Sequence, residues 1–231
     1  MPAAQVGLGK LAAMLTLRAV LTIGCVCLLA ACHSSPAEVS ADIGNVVDLK
    51  SSFGPEFQAK AIARTGIDPK LLAGTALPPG LTFDPADCSK FAVSQQLPQG
   101  VQGNMAAVAA EGQGNRFIAI ALETSEPVPV NEPGRTCRRI GFFGDQMRGL
   151  IETIDAPHID GVKTLGVHRV IEAVAGGKSR VGELYNYSAF FGPYQVLVTA
   201  NPLVQPGKPV APVDIARARD LLVAAVEAIR N

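Results

Sequence analysis

Between Val101 and Ala200 the chain falls into short runs of β-forming residues, and several are separated by the residues that reverse a chain. The runs are 101–110, 116–123, 137–143, 149–154, 164–173, 181–190 and 194–200. Two glycines lie within 111–115, Gly176-Gly177 parts another pair of runs, and Phe191-Gly192-Pro193 parts the last pair. Glycine supplies positive φ and proline fixes its own φ, so these are hairpin turns. The topology they predict is an antiparallel meander.

The helical signals lie at the two ends. After Pro209 and Pro212, Asp214 is placed to N-cap a helix beginning at Ile215. Ile215, Ala218, Leu221, Leu222, Ala225, Val226 and Ile229 fall on one arc, with Arg217, Asp220 and Glu227 opposite. That face needs a partner, and the sheet supplies it. Upstream, Ile43, Val46 and Val47 have helical spacing that stops near Phe53-Gly54-Pro55, and an imperfect alternation from Phe57 to Ala63 favours a strand. Asp84-Pro85 opens a short helix carrying Cys88. The 124–136 loop holds Pro127, Pro129 and Pro133 and should be extended and exposed. The expected fold is α+β: an antiparallel sheet with helices packed mainly on one face and a long amphipathic C-terminal helix.

The first 31 residues follow different rules. Lys10 and Arg18 are their only charged side chains, and no charge occurs from Ala19 to Ala31. This is the basic n-region and apolar h-region of an export signal, shorter than the roughly 20 apolar residues a spanning helix needs. It ends in Leu29-Ala30-Ala31-Cys32, which resembles the lipobox of bacterial lipoproteins, where the cysteine is acylated and becomes the new N-terminus. A plain secretory signal or an uncleaved anchor is the alternative. Translation from Met1 or from Met14 gives the same mature chain. The expected organisation is a signal peptide over 1–31, a polar tether over 32–41 and one domain over 42–231, held by lipidated Cys32 on the outer face of the cell membrane.

Without residues 1–31 the chain keeps 200 residues with two more carboxylates than cations. No run of basic residues is concentrated enough for nucleic acid or for a lipid surface beyond the anchor. Cys25 and Cys27 leave with the signal, and Cys88 and Cys137 remain beside Cys32. In an oxidising compartment that even pair favours a disulfide over two buried thiols. Closing a loop of about 50 residues would stabilise the fold by about 4 kcal/mol on the chain-entropy view.

Catalytic signatures are weak. Gly176-Gly177-Lys178-Ser179 has the tail of a phosphate-binding loop, but the glycine such a loop needs at position 172 is Glu172, which leaves a hairpin turn. His158 stands near Asp155 and Asp160, and His168 lies ten residues on, without the three or four convergent ligands of a metal site. No nucleophile-elbow or zinc-protease motif occurs, and neither metal nor cofactor is expected. A scattered active site of an envelope hydrolase or transferase, including His158 or His168, stays open as the alternative. Tyr185, Tyr187, Phe190, Phe191 and Tyr194 gather at the last hairpin. Aromatic groups in strands pack most often in a core, and these five are also the candidate ligand-binding residues.

The lipobox together with "LPPGLTFDPADC", "EGQGNRF", "APHIDGVKTLGVHR" and "NPLVQPGKPVAPVDIARARDLLVAAVEAIR" resembles a family of mycobacterial lipoproteins known as a domain of unknown function. The layout is similar, more loosely, to the extracellular sensor domain of a mycobacterial serine/threonine kinase and to lipoproteins with the α+β fold of the photosystem extrinsic protein PsbP. The resemblance implies no activity and no catalytic residue. The function expected is therefore a non-enzymatic envelope lipoprotein that binds an apolar or glycolipid ligand, or a protein partner. Because one acyl chain anchors only reversibly whereas two or more hold stably, Cys32→Ala should move the protein out of the membrane fraction. Cell fractionation with immunoblotting reads this directly.

Overall fold

The computed structural model of the protein describes residues 40–68, 77–92, 97, 100–205 and 207–231. Among them nine strands form one sheet: β1 (Phe57–Gly66), β2 (Thr82–Asp84), β3 (Gly103–Gly112), β4 (Asn115–Thr124), β5 (Arg139–Phe143), β6 (Met147–Ile154), β7 (Lys163–Ala175), β8 (Lys178–Phe191) and β9 (Tyr194–Pro202). Their spatial order is β1-β3-β4-β9-β8-β7-β6-β5-β2, with every neighbouring pair antiparallel. The expected meander is present from β5 to β9. The chain departs from it at the proline-bearing loop, which carries the chain from mid-sheet β4 out to β5 and so leaves β4 free to pair with the returning β9.

The helices follow the sequence closely. A 3-10 helix, Ile43–Ser52, has Asp42 as its cap and stops before Phe53-Gly54-Pro55. The short helical turn at Cys88 is a 3-10 segment, Ala86–Cys88, running into α1 (Ser89–Ala92). The C-terminal helix α2 (Ile215–Arg230) is capped by the Asp214 carboxylate, which accepts from the Arg217 N–H at 2.9 Å. Its buried residues are Ala218, Leu221, Leu222, Ala225, Val226 and Ile229, whereas Ile215 at the first turn stays exposed. Each large apolar side chain so buried contributes about 1.5–3 kcal/mol.

Strand residues alternate between faces, and the registers sort them without ambiguity. On one face Val108, Phe117, Val198 and Tyr187 pack under the 3-10 helix and α2. On the other, Ile140, Phe142 and Ile151 pack with Cys88, Cys137 and Ala92. The helices are thus not confined to one face. Both longer ones cover the β1-β3-β4-β9-β8 half from one side, while the Cys88 segment covers the β7-β6-β5 half from the other. The Cys88–Cys137 disulfide fastens that second cluster. Cys137 itself closes a 3-10 turn, Arg135–Cys137, so β5 starts at Arg139 rather than at the cysteine. β2, three residues pairing with β5, has no signal in the sequence, because three residues cannot display a period.

Two glycines in this half differ sharply. Gly166 sits opposite Tyr187, and a Cβ there would lie 2.8 Å from the Ile154 carbonyl oxygen and 3.2 Å from the Tyr187 ring. At Gly141 a Cβ would meet only the Asp84 carbonyl oxygen, at 3.7 Å. Overpacking predicts that Gly166→Ala loses about 1–3 kcal/mol. Gly141→Ala should be neutral or gain up to about 1 kcal/mol, since glycine weakens a strand. Urea unfolding of the two variants checks the pair.

Candidate functional site

Among the described residues, no helix covers the β5 to β7 part of the sheet on the side where the 3-10 helix and α2 pack. On the helical side of β5 to β8, the side chains form three rows across the strands, set by the pairing registers. The first row is Phe143, Arg148, Glu172 and Val181. The second is Gly141, Leu150, Val170 and Glu183, with Asp84 of β2 at its outer end. The third is Arg139, Glu152, His168 and Tyr185. A depression of about 510 Å³ lies over the first two rows, floored by Gly141, Leu150 and Val170 and flanked by Phe143 and Val181. Phe143 is 51% exposed and Val181 64% exposed, and they stand at opposite ends of the first row with Arg148 and Glu172 between them.

Charge brackets this apolar strip on both sides. In the first row Arg148 Nε donates to Glu172 Oε2 at 2.7 Å, and Ser179 Oγ donates to Glu172 Oε1 at 2.6 Å. In the third row Arg139 Nε stands 3.4 Å from Glu152 Oε1. His168 stacks on Tyr185, with ring centroids 4.2 Å apart, and its Nε2 lies 3.3 Å from Glu183 Oε2. The Tyr185 hydroxyl donates to the same Glu183 oxygen at 3.5 Å. Burial first, and the Glu183 charge second, raise the Tyr185 phenol above its ordinary value, which keeps it a hydrogen-bond donor.

The aromatic residues singled out at the last hairpin do not line one cleft. Tyr187, Phe191 and Tyr194 are buried in the main core, where Arg219 lies over the Tyr187 ring and Arg230 over the Phe191 ring. Phe190 is buried on the opposite face, opposite Gln195. Only Tyr185, half-buried, reaches the bare face. His158 and His168 are separated as well: His158 pairs with Asp160 on an exposed loop, and His168 belongs to the bare face. Among the described residues no three His, Cys, Asp or Glu side chains converge as a metal site, and no helix is long and apolar enough to cross a membrane. Cys32 and the signal segment lie outside the described residues.

Sequence reasoning missed Gly141, Arg148, Leu150, Val170, Glu172 and Glu183. The available signal was faint. Alternate positions on β6, β7 and β8 read Arg148-Leu150-Glu152, His168-Val170-Glu172 and Val181-Glu183-Tyr185, mixing charged and apolar residues on one face. A covered face would read apolar throughout, as Ile140, Phe142 and Ile151 do on the reverse.

With the geometry in place, comparison with known proteins identifies the fold. Residues 42–230 match the family described as Domain of unknown function (DUF5642). The chain belongs to the DUF5642 family. A crystal structure of an uncharacterized Mycobacterium smegmatis protein, the Rv0999 ortholog, is similar at 58% identity and a TM-score of 0.78, over 83% of this chain and 98% of that one. This supports the mycobacterial family expected from the sequence. Comparison with curated proteins finds no match.

Electrostatics on the bare face give a pH prediction. Hydrogen bonds from Arg148 and then Ser179 hold the Glu172 carboxyl below its ordinary value. A lowered carboxyl contributes stability above its unfolded-state value and loses it as pH falls through the folded one, so the pair weakens only in acid. Arg148→Ala should move the Glu172 carboxyl upward, and by more than Ser179→Ala does. Carbon-detected NMR titration of the glutamate carboxyl groups measures both.

Proposed function

We propose that this chain is an exported, lipid-anchored envelope protein that binds an amphipathic ligand on the bare face of its sheet and performs no catalysis. The observation that carries this reading is the apolar strip of Gly141, Leu150 and Val170, flanked by Phe143 and Val181 and left uncovered among the described residues. Contiguous apolar surface rimmed by polar groups is costly to leave in water and marks interaction sites. The basic and apolar export pattern and the lipobox ending at Cys32 support the location.

Catalysis is the weaker reading. His168 with Glu183 has the arrangement of a base and its orienting carboxylate. Ser179, the hydroxyl on the same face, instead donates to Glu172, and Tyr185 stacks on the imidazole with its phenol held protonated. Neither is presented to His168 as a nucleophile.

Gly141 offers a clean test, because a side chain there enters the depression and meets little of the protein. Gly141→Leu should fill the site while leaving thermal stability at or above that of the parent. Native mass spectrometry of the secreted Cys32→Ala protein should show a non-covalent adduct that disappears when Gly141→Leu is added. An adduct of equal abundance in both proteins, or none in the parent, would overturn the assignment of this face.

A further inference from the structure

We infer that the part of the ligand seated on this face is a neutral saccharide; the inference rests on the binding role proposed above. The first argument is charge. Arg148 is matched by Glu172, and Arg139 by Glu152, so both guanidinium groups are neutralised by partners on the same face. Glu183 and the exposed Asp84 add carboxylates at the two ends of the middle row without adding a cation. An anionic head such as a fatty-acid carboxylate or a phosphate would meet paired cations and additional negative charge. A group bearing many hydroxyls and no charge meets acceptors at both ends and donors along the sides, without having to displace an ion pair.

The second argument is shape. From Asp84 to Glu183 the middle row crosses five strands, about 19 Å at the usual strand spacing. Neighbouring rows lie about 7 Å to either side. An acyl chain is best served by an enclosed apolar sleeve, whereas this floor is shallow and meets charged groups at every edge. A sugar ring presents a flat patch of C–H groups and an equator of hydroxyls. Its C–H face suits the Leu150 and Val170 floor, with hydroxyls toward Glu172 in the next row, and a second linked ring over Gly141 comes beside Phe143 and Asp84. The empty position at Gly141 lets the ring approach the backbone, where any other residue would hold it away. A burial of polar groups is tolerated only where they find hydrogen-bond partners, and here the partners stand around an apolar centre.

The experiment is a two-dimensional amide NMR titration of the secreted Cys32→Ala chain. The probes are cellobiose, maltose and mannobiose as neutral sugars, digalacturonic acid as a charged one, and octanol as an apolar chain. The expected result is that at least one neutral disaccharide shifts Gly141, Leu150, Phe143 and Val170, and that digalacturonic acid does not. Asp84→Ala should weaken that binding by about ten-fold, the usual effect of removing a hydrogen bond to a charged group, with an otherwise unchanged spectrum. Octanol shifting these resonances while every disaccharide leaves them still would overturn the saccharide assignment and keep the binding face. Silence toward all five probes would overturn the saccharide assignment too. The face itself is then judged separately, by the adduct and its loss in Gly141→Leu.

Discussion

The pairing of β4 with β9 is the contact on which the remaining architecture depends. It joins Asn115 to Pro202 and Glu123 to Tyr194, an unbroken register between segments about eighty residues apart. Closing so long a loop costs entropy before any contact returns it. The return is large: the same pairing brings Phe117, Ala119, Val196 and Val198 onto one surface, and that surface is what α2 covers. Without it the β3-β4 hairpin and the β5 to β9 meander would be two open sheets, each with a long unpaired edge. The Cys88–Cys137 bridge acts on the far excursion of this loop, tying the segment after β2 to the residues just before β5.

Coverage then follows from dimensions. Nine strands spaced by about 4.8 Å make a sheet about 38 Å wide, and a helix with its side chains is about 10–12 Å across. Two helices therefore cover little more than half of one face. The chain spends both on the β1-β3-β4-β9-β8 side, where the strands are rich in alanine and valine and tolerate close approach. On the β5 to β7 side the covering layer is the small disulfide-bonded cluster, and it packs beneath the sheet. Among the described residues, the bare face is what this division leaves over on the helical side of the sheet. Its side chains carry the mark of that position: they mix charge with apolar groups, whereas Phe142 on the reverse lies against Gly149 with no room for a Cβ.

This division explains what could be seen in the sequence. Hairpins were legible because Gly176-Gly177 and Phe191-Gly192-Pro193 act locally, and both appear where expected, with positive φ at Gly176, Gly177 and Gly192. α2 was legible because its period spans sixteen residues and its cap is a single side chain. The order of strands was not, since alternation states which residues share a face and is silent on which strand lies beside which. For the same reason Phe190 could not be separated from Phe191 until the face of each was known. The bare face was hidden further by its own composition. Its three rows draw residues from β2, β5, β6, β7 and β8, so no contiguous stretch contains more than two or three of them, and only the register assembles the set.

The position of the site relative to the core bears on what it can do. Along β7 and β8 the pair Gly166–Tyr187 is buried, with Tyr187 only 1% exposed and Arg219 over its ring. One step along, His168 and Tyr185 are half-covered, and one step further Val170 lines the depression, with Glu183 its partner across the strands. Core and site are therefore four residues apart on the same two strands. From below, Val167 and Ile171 anchor β7, and Ile151 its neighbour β6, in the disulfide-bonded cluster. Side chains held by strands packed on both of these supports lose little freedom when a ligand arrives, and that lowers the ordering cost which otherwise erodes affinity. A shallow face gains few contacts from any ligand, so rigidity of this kind is the property that would let the proposed uncharged ligand bind there.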